Sequence, residues 1–181
     1  MSSLGNQLLS AIKAQNVAEM NALLAAGADP NYIDEYGGSA LMAACDSWNE
    51  PEKRFIMAAA LLDAGADPQY TDKEGGGVLF SCIIAKDTRL IEYLLARGAN
   101  PNKEHDMGEA LYDWAEFDYR YDEFDLNLPE DPTEEERKSE EAWLEYLSRL
   151  ASKYGKNPPD YLIALRRAGA LTSEEKKQIL N

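Results

Sequence analysis

Three stretches share one pattern: LLAAGADPNYIDEYG (23–37), LLDAGADPQYTDKEG (61–75) and LLARGANPNKEHDMG (94–108). In each, a glycine (Gly27, Gly65 or Gly98) follows a Leu-Leu pair by three residues, the place of a left-handed cap that closes an amphipathic helix. A proline three residues later forbids helix continuation, and a second glycine (Gly37, Gly75 or Gly108) ends the connecting finger. A shorter copy, ALRRAGAL, places the corresponding glycine at Gly169.

The pattern resembles the ankyrin repeat, a β-turn finger and two antiparallel helices recurring every 33 residues. The cap glycines here are spaced 65 − 27 = 38, 98 − 65 = 33 and 169 − 98 = 71. Against the ideal period the second repeat holds about 5 extra residues and the fourth about 38. Inner helices are expected at 6–12, 39–45, 77–83 and 110–115, with Leu8, Leu41, Leu79 and Tyr112 in the core leucine position. Ala11, Ala44, Cys82 and Ala115 take the small position. The family's histidine is replaced by Leu9, Met42, Phe80 and Asp113, and its threonine by Asn6, Ser39, Gly77 and Ala110, which marks a divergent array. Outer helices are expected at 17–26, about 53–64, 88–97 and 159–168. The resemblance implies an all-α solenoid of about four helix pairs with short finger turns, one domain over 1–181, with a helical insertion at about 116–158 in the fourth repeat. Thr172 and Glu175 form a capping-box pair, so a capping helix is expected at about 173–180.

Composition narrows the function. The chain has 181 residues, 33 acidic against 18 basic, and a net charge of −15, the wrong sign for a nucleic acid or an anionic membrane. No apolar run approaches the length of a spanning helix and the start lacks a signal-peptide pattern, so a cytoplasmic protein is expected. Cys45 and Cys82 sit in small apolar settings and read as buried reduced thiols. His105 is the one histidine, which leaves no histidine-based metal cluster and no general acid–base pair in a pocket. Neither a phosphate loop nor a nucleophile elbow is present. No enzyme, cofactor or metal is expected.

The first insertion, DSWNEPEKRF (46–55), reads either as a longer inner helix stopping near Asn49 and Pro51 or as a loop exposing Trp48 as a contact anchor. In the second, Leu111, Trp114, Ala115 and Asp118 share one helical face, while Phe117, Tyr121, Phe124 and Leu128 trace another. A long helix is then expected over 132–155, capped by Asp131 with Pro132 in its first turn. From Asp113 to Asp131 the acids Asp113, Glu116, Asp118, Asp122, Glu123, Asp125, Glu130 and Asp131 face Arg120 alone, a concentration that costs stability by self-repulsion. An EF-hand spacing is lacking, so calcium is disfavoured.

Fingers of the same sign, Asp34, Glu35, Asp72, Glu74 and Asp106, join Trp48, Phe117, Asp118, Tyr121, Asp122, Glu123, Phe124 and Asp125 as candidate partner-binding residues. Acids beside rings suit a basic protein partner. Small acidic ankyrin-like proteins are similar to bacterial immunity proteins that occlude a toxin enzyme, here expected as a one-to-one complex of a monomer. The alternative is a general adaptor without inhibitory activity.

Overall fold

The computed structural model describes residues 3–46, 48–73, 75–103 and 110–180. They are all-α, with isolated bridges Ile33–Ser39 and Thr71–Gly77 in place of strands. They fall into two compact units, one ending at Asn100 and one starting at Pro101.

The first unit holds three helix pairs: α1 (Leu4–Lys13) with α2 (Val17–Ala25), α3 (Ala40–Ala44) with α4 (Pro51–Asp63), and α5 (Val78–Ile84) with α6 (Thr88–Ala96). Leu8, Ile12, Leu41, Ala44, Leu61, Cys82, Ile83, Ile91 and Leu94 are buried, so the apolar stripes of successive pairs share one core. Each pair ends the same way. Gly27, Gly65 and Gly98 have φ of 89°, 97° and 90°. The next N–H turns back onto the helix: Ala28 donates to Leu23 O (3.0 Å), Ala66 to Leu61 O (2.9 Å) and Ala99 to Leu94 O (3.0 Å). Successive turns are then tied by side chains, with Asn31 Nδ2 donating to Gly65 O (2.9 Å) and Gln69 Nε2 to Gly98 O (2.5 Å). In return Asp67 N–H donates to Asn31 Oδ1 (2.7 Å) and Asn100 N–H to Gln69 Oε1 (3.2 Å).

The turn between helices of a pair also recurs. Gln15 and Lys86 stand at φ 52° and 51°, and Asn16 and Asp87 then cap α2 and α6 through the N–H groups of Glu19 (3.2 Å) and Leu90 (3.1 Å). The middle pair departs from this. Its inner helix stops at Ala44, not near Asn49: the Asn49 side chain folds back and donates to Ala43 O and Ala44 O, both at 2.9 Å, taking carbonyls that the helix leaves open. The extra residues instead form a loop and begin the outer helix at Pro51, earlier than expected, with proline in the first turn.

The second unit contains α7 (Leu111–Phe124), α8 (Glu140–Tyr154), α9 (Asp160–Arg167) and α10 (Ser173–Leu180). Tyr112, Ala115 and Tyr119 of α7, Leu144, Leu147, Leu150 and Ala151 of α8, and Tyr161, Leu162 and Leu165 of α9 are buried. Two of the buried tyrosine hydroxyls reach backbone carbonyls, Tyr119 donating to Asn157 O (2.7 Å) and Tyr161 to Ala115 O (3.2 Å). The turn chemistry of the first unit reappears after α9, with Gly169 at φ 84°, Ala170 N–H on Leu165 O (3.0 Å), Asn102 Nδ2 on Gly169 O (2.6 Å) and Leu171 N–H on Asn102 Oδ1 (2.7 Å).

The helix expected over 132–155 begins only at Glu140. Thr133 and Glu136 close a capping box on a single turn, Glu136 N–H donating to Thr133 Oγ1 (3.2 Å) and Thr133 N–H to the Glu136 carboxylate (2.8 Å). Ser139, extended at φ −151°, then starts α8 by accepting from Ala142 N–H (3.2 Å), so neither Asp131 nor Pro132 serves that helix. The C-terminal cap is as read: Glu175 N–H donates to Thr172 Oγ1 (3.1 Å) and Thr172 N–H to Glu175 Oε2 (2.8 Å).

Candidate protein-binding surface

The acids of the second unit divide into those bound internally and those facing solvent. Asp113 Oδ2 accepts from Ser173 N–H (2.8 Å), and Glu123 holds Asn157 by its backbone and side chain (3.1 and 2.8 Å). Glu116 accepts from the Trp143 indole (3.1 Å) and pairs with Arg120 (2.7 Å). Burial nonetheless raises the Glu116 carboxyl above its ordinary range, outweighing Arg120 and Trp143. Glu130 binds Arg149 (2.8 Å), Lys153 (2.5 Å) and Tyr154 (3.0 Å), and these donors, Lys153 first, lower its carboxyl to about 2. At Glu130 bridging donors thus offset the self-repulsion, whereas at Glu116 burial, with the neighbouring Glu140 and Asp113, keeps the carboxyl raised.

What remains outward on α7 is narrower than the sequence suggested. Phe117 and Tyr121 are 48% and 54% exposed, and their rings stack with centroids 6.5 Å apart and planes at 15°. Asp122 is exposed beside them and Asp118 is half-buried, so these four lie within one broad side of α7; Asp125, the left-handed cap that follows the last helical residue, is also exposed. Phe124 leaves this line: it is buried edge-on against Tyr119 at 6.1 Å. Helix periodicity does not account for this, since Phe124 lies seven residues beyond Phe117 and in register with it; Phe124 is the last residue of α7, where the chain leaves the helix at the left-handed Asp125. Leu126, past the left-handed Asp125 (φ 51°), is exposed and was missed; no periodicity marks a residue beyond a helix cap.

In the first unit, Asp34 and Asp72 shape their fingers. Asp34 Oδ1 accepts from Tyr36 N–H (3.0 Å) and Gly38 N–H (2.8 Å), and Asp72 Oδ1 from Gly76 N–H (2.8 Å). Glu35 is exposed, and so is Tyr36 at 83%, a finger-tip ring absent from the sequence-based set. A cavity of about 490 Å³ opens between α1 and this finger, lined by Leu9, Lys13, Tyr32, Asp34, Glu35 and Tyr36 among others. Glu74 and Asp106 lie outside the described residues.

Trp48 is 89% exposed, on a loop fixed from beneath. Its backbone N–H donates to Asp46 Oδ1 (3.0 Å). Under the loop, Arg54, 4% exposed, donates to Asp46 O (3.1 Å) and Asn49 O (2.9 Å) and pairs with Asp87 (2.9 Å).

Among the described residues no group of three or more His, Cys, Asp or Glu side chains is arranged to hold a metal, and no helix is long and apolar enough to cross a membrane. No family model matches the sequence, and no curated protein matches it.

Proposed function

We propose that this is a divergent ankyrin-type module that binds a basic protein partner, and that it acts as an immunity protein by occluding a toxin enzyme. The repeated glycine turn and its Asn31, Gln69 and Asn102 ties support the repeat reading. The observation that carries the binding reading is the solvent-facing Phe117–Tyr121 stack flanked by Asp122 and Asp125 in a chain of charge −15. Rings supply holding contacts and the acid field speeds encounter with a cationic cleft. Enzymes that act on anionic substrates carry such clefts, so this surface can imitate the substrate. The reading rests on surface chemistry, since fold alone does not fix function.

The test is inhibition. A basic enzyme recovered with the protein is assayed with rising amounts of it, and activity is expected to fall to zero at one equivalent, with affinity weakening as salt is added. Full activity of the saturated complex would exclude an immunity role and leave an adaptor.

A further inference from the structure

We propose that the α7 face selects arginine over lysine in its partner, a deepening that rests on the basic-partner reading above. The protein already uses this recognition internally. Arg89 places its guanidinium 3.6 Å above the Phe55 ring while its Nη1 meets Glu52 at 3.1 Å. Arg97 lies 3.5 Å above the Tyr93 ring with Nη2 on Asp63 at 2.7 Å. Each site joins a ring face to a carboxylate, and in the first the two stand three positions apart on α4.

Asp118 and Tyr121 repeat that spacing on α7, where Asp118 is half-buried with its Oδ2 out of solvent, and the exposed carboxylates nearest Tyr121 in sequence are Asp122 and Asp125, one and four positions on. The rings of Phe117 and Tyr121, only 15° from parallel, offer faces of common orientation. The one basic residue of the helix, Arg120, is engaged by Glu116 at 2.7 Å, and no guanidinium of the described residues lies over Phe117 or Tyr121. A guanidinium is flat and weakly hydrated, so it can lie on a ring while its edge N–H groups fork onto a carboxylate. A lysine ammonium is compact and strongly hydrated and satisfies one of these at a time. Charge attracts both residues; the rings distinguish them.

The test uses hexa-arginine and hexa-lysine peptides, equal in charge, titrated into the full chain at low ionic strength by calorimetry. Hexa-arginine is expected to bind about threefold to tenfold more tightly. Phe117→Leu with Tyr121→Leu, which keeps apolar bulk at two exposed positions, is expected to bring the two peptides to equal affinity. Asp122→Asn is expected to weaken both alike. Equal binding of the two peptides to the unaltered protein would overturn arginine selection while leaving the basic-partner reading in place. A preference that survives the leucine variant would also overturn it, by placing selection elsewhere. Binding of neither peptide would remove both readings.

Discussion

Arg54→Ala isolates the interaction that holds the Trp48 loop. The guanidinium is 4% exposed and meets an 11% exposed Asp87 carboxylate at 2.9 Å while donating to two loop carbonyls. Truncation strands the carboxylate with the Leu90 N–H and deprives Asp46 O and Asn49 O of this donor. Breaking one side of a buried pair costs about 3–5 kcal/mol, because the remaining charge stays desolvated without compensation. That is a large part of the roughly 5–15 kcal/mol typical of a domain. Urea unfolding followed by circular dichroism reads the loss, and hydrogen exchange over 46–54 locates it. Adding Asp87→Asn, which keeps the α6 cap but removes the stranded charge, is expected to recover about 1 kcal/mol or more. A loss below about 1 kcal/mol for Arg54→Ala would show instead that the pair is not desolvated.

Other consequences follow from the same geometry. Gly65→Ala meets no atom within 4 Å, so its whole cost is backbone strain at φ 97°, about 1–2 kcal/mol by urea unfolding; an unchanged midpoint would contradict the cap. Glu116 has a raised folded carboxyl, so the folded chain takes this proton before the unfolded one does. Its contribution therefore improves as pH falls from neutral toward the unfolded value of about 4.3, and the advantage of Glu116→Gln over the unaltered protein should be greatest near pH 7 and shrink on acidification. Glu175 behaves oppositely. Arg166, at 2.7 and 2.9 Å, and the Thr172 N–H lower it to about 2, so its stabilisation is present above about pH 4.3 and lost as pH falls toward 2. Arg166→Gln should return its titration, read by NMR, toward the ordinary range. Cys82 lies beside Cys45, and burial pushes its thiol well up, so both buried thiols should resist a soluble thiol reagent until the chain unfolds.

The helix ends were readable because a glycine closing an amphipathic helix has a local cause: Gly27, Gly65 and Gly98 after Leu-Leu, and Gly169 after ALRRA, all sit at positive φ. Gln15 and Lys86, equally left-handed, were not, since ordinary side chains there are held by tertiary context. Nothing local marks Arg54 for burial; its partner Asp87 lies 33 residues on, beyond any local pattern. The helix over 132–155 failed because Thr133 and Ser139 both cap, and the second cap won. On α7 periodicity marks two faces, Leu111–Trp114–Ala115–Asp118 and Phe117–Tyr121–Phe124–Leu128, but faces cannot be ranked for burial without knowing which side α9 covers. Tyr161, hydrogen-bonded to Ala115 O, draws the Tyr119 side inward and leaves Phe117 and Tyr121 outside.

The most direct measurement is parallel capture from native extract with the unaltered protein and with Tyr121→Ala/Asp122→Lys, two exposed positions, followed by mass spectrometry. One basic protein should be recovered in near-equal molar amount by the unaltered chain and lost from the variant. The same basic protein retained by both would contradict the claim that this face of α7 is the binding surface.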